Sequence, residues 1–282
     1  MSSFWQWNEF NHAERNVPVF YEKFVKGKRV VEDYEFKIQD GLNLLQSDKG
    51  LFMDKTLILD IDLTLGQAGL VSYHRNYGCL LENKYSLNLA EVSRLVKLDK
   101  VKWFQNHNML FFIRPYFKEF IEYCDRNFKE VIIWTLGNRL HSLDMQDLCK
   151  DITGKTWKAY CRDDAESNLK IVTKIGLDPS KTWMVDDDHR HYWEDPFDKS
   201  KNVNSGIKFF HTPTFNILHN PEYLYEGGGE NFSDYLYEWG RNIEIYDDWF
   251  PFLIWNWNYM HGKGLSMTRF IRNDFKFVID QK

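Results

Sequence analysis

Residues 56–65 read Thr56-Leu57-Ile58-Leu59-Asp60-Ile61-Asp62-Leu63-Thr64-Leu65. An apolar run ends in two carboxylates two positions apart, with a hydroxyl two further on. An unbroken run this short is the pattern of a parallel strand covered on both faces, where no alternation with water is needed. Open α/β sheets bind ligands outside the carboxyl ends of such strands, so Asp60 and Asp62 stand where a site would be built. The same residues also suit a strand that ends in a solvated acidic turn. D-x-D-x-T is a short pattern, and the rest of the chain has to decide.

Two further runs repeat the arrangement. Val131-Ile132-Ile133-Trp134 leads into Thr135-Leu136-Gly137-Asn138, where a hydroxyl and backbone N–H groups suit either a phosphate oxygen or an ordinary strand-to-helix turn. Thr182-Trp183-Met184-Val185 leads into Asp186-Asp187-Asp188. Three adjacent acids repel one another, and either a bound cation offsets that cost or one or two of them cap a following helix. Asn168 to Ile175 reads as a short helical pattern carrying Lys170, stopped by Gly176. Between the first two runs, Leu87 to Val96 has helical spacing. Gln105 to Asn108 separate two apolar runs as a hairpin turn would. Arg114-Pro115 opens a helix whose core stripe is Phe117, Phe120, Ile121 and Cys124. A further strand is expected at Gly206 to Phe210.

The chain has 282 residues, enough for one large α/β domain with additions. Lys plus Arg number 36 against 41 Asp plus Glu, a net charge of −5, which argues against long nucleic acid as the partner. Four scattered cysteines form no C-x-x-C pair, so reduced thiols and an intracellular, soluble protein are expected. No apolar stretch approaches the length of a membrane span. Residues 1–54 read as a helical, charged preface, and residues 216–282 as an aromatic-rich extension with a helix at Ser233 to Ile243. Asp247 to Gly262 is crowded with rings, which would either dock a protein partner or pack on their own domain.

Together the strand ends supply two carboxylates, a hydroxyl, a lysine and a second acidic cluster, the inventory for metal-assisted hydrolysis of a phosphate monoester. In this order the motifs resemble the haloacid dehalogenase superfamily of aspartyl-phosphate phosphatases. They are most similar to its branch of RNA polymerase carboxy-terminal-domain phosphatases and their small relatives. DIDLT resembles the D-x-D-x-T motif, RPYFKEFIEYC the arginine-proline helix, VIIWTLGN the strand with a terminal threonine, and KIVTKIGLDPSKTWMVDD the signature from lysine to paired aspartates. The resemblance covers residues 55–215. It implies a Rossmann-like three-layer α/β sandwich with a central, mostly parallel sheet and a small hairpin-type insertion over about residues 66–113.

The resemblance also implies roles. Asp60 would be nucleophile and metal ligand. Asp62 would be general acid and base, with its carbonyl toward Mg²⁺. Thr64 would support the loop, Thr135 would hold phosphoryl oxygens and Lys170 would balance charge. Asp186 and Asp187 would complete the Mg²⁺ site. Arg114, Leu136, Gly137 and His189 are expected near the substrate. The chain departs from the branch at Leu63, where an acidic residue is common, and in the turn Leu136-Gly137-Asn138. A phosphoprotein is the expected substrate. A nucleotide or nucleic-acid end is the second reading, and a non-catalytic scaffold, similar to the mitochondrial import receptor related to this branch, is the third.

Overall fold

The computed structural model describes residues 16–25, 28–47, 50–74, 78–81, 85–87, 89–98, 100–104, 108–192, 204–215, 247–262 and 269–272. Strands β1 (Asn16–Val25) and β2 (Lys28–Lys37) pair antiparallel, with Val25 opposite Lys28, and helix α1 (Ile38–Leu45) follows. Over its described residues, the preface expected to be helical is therefore largely β. Its density of Val, Tyr and Phe at mixed spacing suits a pleated ribbon better than a helix.

The apolar run that opens the sequence argument becomes β3 (Phe52–Leu59). The insertion holds β4 (Gly66–His74), β5 (Gly78–Leu81), β6 (Tyr85–Leu87), α2 (Leu89–Val96), β7 (Val101–Phe104) and β8 (Met109–Ile113). Phe104 opposite Met109 gives the expected hairpin, which the other strands extend into an antiparallel sheet ordered β6-β5-β4-β8-β7. There follow α3 (Phe117–Asn127), β9 (Phe128–Trp134), α4 (Arg139–Thr153), β10 (Lys158–Tyr160), β11 (Thr182–Asp186), β12 (Lys208–His211), α5 (Trp249–Gly262) and β13 (Arg269–Arg272). β13 pairs antiparallel with β1. The expected helix at 233–243 lies outside the described residues.

The central sheet is ordered β10-β9-β3-β11-β12, and every pairing in it is parallel. Leu57, Leu59, Val131, Ile133, Trp183 and Val185 face one core, while Ile58, Ile132, Trp134 and Met184 face another. Both faces being dry explains the unbroken apolar runs. Residues from α1, α3, α4 and α5 pack in the first core. The second is covered more thinly, by Val172 and Ile175 of a 3₁₀ turn, Leu177 and Tyr192. From β3 the chain builds β9 and β10 on one side and β11 and β12 on the other. The carboxyl ends of β3 and β11 thus flank a topological switch point.

Of the two courses open to the aromatic tail, α5 takes self-packing. Phe250 stacks on Phe120 with ring centroids 4.1 Å apart. Trp257 is fully buried among Phe128 (5.3 Å), Phe210 (5.4 Å) and Trp183 (5.8 Å). Gly41 lets α1 approach closely, since a Cβ there would meet the Pro251 carbonyl oxygen at 2.4 Å. Cys124, Cys149 and Cys161 are free thiols, all buried. Among the described residues no helix is long and apolar enough to cross a membrane.

Trp257→Ala removes the ring at the centre of this cluster, and we expect a loss of roughly 3–5 kcal/mol in stability. Urea unfolding would read it as a lower midpoint at unchanged slope, and an unshifted midpoint would show that α5 is not part of the core.

Candidate active site

The Asp60 amide donates to the Val185 carbonyl (3.0 Å), carrying the parallel ladder one step beyond β3 before the chain turns. Leu63 takes a left-handed conformation (φ 62°). Its N–H donates to Gly66 O (2.6 Å), and Leu65 N–H donates to Ile61 O (2.9 Å). Gly66 is required by close approach, because a Cβ would meet Phe112 O at 2.4 Å.

Beneath this turn lies Arg114, 1% exposed. Its Nη1 donates to Thr64 O (3.2 Å) and Pro213 O (3.0 Å), and its Nε donates to both carboxylate oxygens of Asp247 (2.9 and 3.2 Å). Arg114 was expected near the substrate. The structure places it behind the loop instead, because buried carbonyls of a tight turn need donors, and a guanidinium supplies several in one plane.

Lys170 is fully buried, and Nζ donates to Asp60 Oδ1 (2.6 Å), Asp186 Oδ2 (2.7 Å) and the Tyr192 hydroxyl (3.3 Å). Tyr192 in turn donates to Asp186 Oδ2 (2.6 Å). Lys170 lies just ahead of the 3₁₀ turn Val172–Ile175 and not in a regular helix, which corrects the helical expectation. Asn204 pins the segment: its side chain donates to Lys170 O (2.9 Å) and Tyr192 O (3.1 Å) and accepts from Val172 N–H (3.0 Å). Burial works against the charge on Lys170, but Asp186 and Asp60 outweigh it and raise its pKa, so the ammonium persists. Burial likewise pushes Asp186 upward, and Lys170, His191 and Tyr192 together more than reverse this, leaving it lowered. Asp60 is raised, first by burial and then by Asp186.

Asp187 receives Thr64 and Thr214. Its amide donates to Thr64 Oγ1 (3.0 Å), and its carboxylate accepts from Thr64 Oγ1 (3.4 Å) and Thr214 Oγ1 (3.3 Å). Burial, then Asp186 and Asp188, push it up to about 6. One carboxylate oxygen each from Asp60, Asp186 and Asp187 lie within 4.8 Å of one another. Three carboxylates against one ammonium leave an excess of two negative charges when all are ionised. Hard oxygen donors carrying that excess fit a small divalent cation. The Asp62 side chain is outside this cluster.

Asp62 faces the other wall. Its Oδ2 accepts from Thr135 Oγ1 (3.2 Å), which itself accepts from Gly137 N–H (2.8 Å), and Oδ1 meets His141 Nε2 at 3.0 Å. Gly137 N–H, expected at the substrate, is thus engaged within its own turn. Leu136 and Gly137 carbonyls accept from Arg162 Nε (2.7 Å) and N–H (3.0 Å). His189 begins the 3₁₀ turn His189–His191, and its side chain lies outside the described residues. Arg190 is forked onto Asp188 (2.5–3.0 Å). Burial pushes Asp188 up, but these bonds prevail and hold it at about 2.

Sequence reasoning assigns no place at the site to His141, Tyr192 or Thr214. A signal existed for His141. Asn138 is the N-cap of α4, and its side chain accepts from His141 N–H (3.1 Å), so a cap at Asn138 puts His141 in the first turn beside Thr135.

Residues 55–213 match the family described as NLI interacting factor-like phosphatase, just over half of the chain. The chain belongs to that family. The match falls on the stretch whose motifs carry the phosphatase resemblance. Two solved structures are similar. One is Fcp1, an essential RNA polymerase II CTD phosphatase, at 16% identity and TM-score 0.40, over 79% of this chain and 57% of that one. The other is fission yeast Fcp1 bound to beryllium fluoride, at 15% identity and TM-score 0.40, over 86% and 62%. The chain thus spans about three fifths of the length of these relatives. No curated protein matches the chain in sequence.

Asp247→Asn should leave the Arg114 guanidinium buried without its counter-charge and cost about 3–5 kcal/mol. Chemical denaturation would read it, and Asp247→Glu should recover part of the loss. A neutral Asp247→Asn would mean the pair does not anchor the loop.

In metal-free protein, Asp187 keeps its proton to higher pH when folded than when unfolded. Stability should therefore fall as pH rises from the ordinary carboxylate range through about 6. Thermal unfolding at pH 5 and pH 7 should show this fall in wild type and a smaller one in Asp187→Asn. Identical pH dependence would remove Asp187 from the account.

Proposed function

We propose that this chain is a Mg²⁺-dependent phosphatase that hydrolyses phosphate monoesters on a protein, through an aspartyl phosphate at Asp60. The observation that carries the reading is the contrast between two carboxylates two residues apart. Asp60 is buried against Lys170 and the other acids, whereas the Asp62 side chain is 41% exposed and touches neutral or weakly basic groups. One environment suits a nucleophile beside a cation, the other a group that carries and returns a proton.

Asp60 attacks phosphorus, and the bond to the leaving oxygen breaks as Asp62 supplies its proton. Asp62 then takes a proton from water, which attacks the same phosphorus. The bond between the Asp60 oxygen and phosphorus breaks, releasing inorganic phosphate and restoring the carboxylate. Lys170 holds Asp60 in place and offsets charge on it, and Thr135 donates to a phosphoryl oxygen. Asp60 and Asp187, with Asp186 and the Asp62 carbonyl, would hold Mg²⁺. When bound, that ion supplies positive charge to the phosphoryl oxygens. The exposure of Asp62 supports a phosphate presented on a macromolecular surface, in keeping with the branch its motifs resemble.

Hydrolysis of an aryl phosphate should require both Mg²⁺ and Asp60. Chelation should abolish turnover, added Mg²⁺ should restore it, and Asp60→Asn should lose at least about 10³-fold while unfolding cooperatively. Near wild-type turnover by Asp60→Asn would sink the nucleophile assignment. Activity on nucleotides exceeding that on phosphopeptides would overturn the protein substrate.

A further inference from the structure

We infer that His141 is a positioning residue for Asp62: it holds Oδ1, so that Oδ2 is the oxygen that delivers and recovers the proton. The inference rests on the proposed role of Asp62 and goes beyond it, naming a residue outside the motifs and giving the two oxygens different work.

A carboxylate side chain that is 41% exposed has room to turn. Two contacts restrain this one, Thr135 on Oδ2 at 3.2 Å and His141 on Oδ1 at 3.0 Å, and they differ in kind. The Thr135 hydroxyl stands at the end of β9, where a phosphoryl group is proposed to bind. A phosphoryl oxygen arriving there offers that hydroxyl a more highly charged acceptor, and Oδ2 is then released toward the leaving group. His141 is fixed. Its side chain is 4% exposed, and its amide is tied to the Asn138 cap (3.1 Å). Its ring lies 5.9 Å from Phe104 and 6.3 Å from Phe111, which are themselves stacked 5.0 Å apart. Those two rings come from β7 and β8, so the insertion forms the wall that holds the imidazole against Asp62.

The chemistry favours an Nε2–H that donates to Oδ1. Such a donor is satisfied when the carboxyl is ionised and equally when it carries a proton on Oδ2. The imidazole therefore neither gains nor loses a proton in turnover. The proton passes from Oδ2 to the leaving oxygen as the P–O bond breaks, and returns to Oδ2 from the attacking water.

The test is kcat/KM on a poor and a good leaving group, phenyl phosphate and 2,4-dinitrophenyl phosphate, because only the former needs a proton to depart. His141→Phe keeps the packing and removes the donor. It should lose roughly 10²-fold on phenyl phosphate and only a few-fold on the dinitrophenyl ester. His141→Gln, whose amide N–H reaches where Nε2 stood, should recover most of the loss. His141→Asn, too short to reach, should not, and this pair decides the matter if the Phe variant fails to fold. Equal losses on both esters, or wild-type values for His141→Phe, overturn the inference. Should wild type hydrolyse neither ester, the phosphatase reading fails. A crystal structure of His141→Asn then still decides the positioning: Asp62 turned away from Thr135 supports it, and Asp62 in place overturns it.

Discussion

One ammonium group makes the site possible. Asp60 and Asp186 end neighbouring parallel strands, and the ladder that joins those strands holds both carboxylates in a dry crevice. Lys170 Nζ lies 2.6 and 2.7 Å from them, and without it two buried like charges would face each other. Much of the irregular structure on the thin face of the sheet serves this one group. Lys170 N–H donates to His191 O, Asn204 ties the lysine segment to the Tyr192 segment, and Tyr192 sets its ring 5.4 Å from the ammonium while adding a donor to Asp186. A long regular helix on that face would have been a simpler cover, but the chain crosses it through a tight turn at Ser167 and Asn168, closed by hydrogen bonds between Glu166 and Leu169, and then a 3₁₀ turn. That path brings the lysine to the strand ends.

The Thr64–Asp187 side of the acidic cluster is tied to Asp247, far along the chain. Asp247 accepts the Trp249 N–H at the start of α5 (3.0 Å) and also binds Arg114, which holds the Thr64 carbonyl. Thr64 in turn touches Asp187 through its hydroxyl. The aromatic helix and the acidic cluster thus share a continuous set of buried contacts, and the rings of α5 act in the core as anchors for that arrangement.

Parts of this were legible in the sequence because they are local. TLIL, VIIW and TWMV are apolar without alternation since both faces are covered, and each ends in polar residues since the sheet is parallel and its carboxyl ends converge. What was not legible depends on partners far along the chain. Asp247 lies 133 positions from Arg114, so nothing near Arg114 announces that its guanidinium is already engaged. Lys170 was misread as helical because Asn168 to Ile175 has the right residues for a turn of helix, and the competing demand of two carboxylates is invisible locally. Residues 16–37 were misread because ribbons whose polar and apolar residues do not alternate cleanly resemble charged helices at the level of composition.

The position of Leu63 explains how two aspartates so close in sequence come to differ. In a continuing strand, residues 60 and 62 would point the same way and share one environment. The ladder instead ends at Asp60, and within three residues the backbone has entered the left-handed region at Leu63 (φ 62°), closed by the hydrogen bond to Gly66. Gly66 can accept that turn because it has no side chain to strike Phe112. The turn leaves Asp60 with Lys170 and swings Asp62 toward Thr135 and His141, so the separation of their chemistry comes from backbone geometry. The side chain at position 63 is then constrained mainly by its conformation. A leucine stands here where the resembling branch commonly has an acid, and its backbone is engaged on both sides: its carbonyl accepts Phe215 N–H at 2.7 Å and its N–H donates to Gly66 O at 2.6 Å.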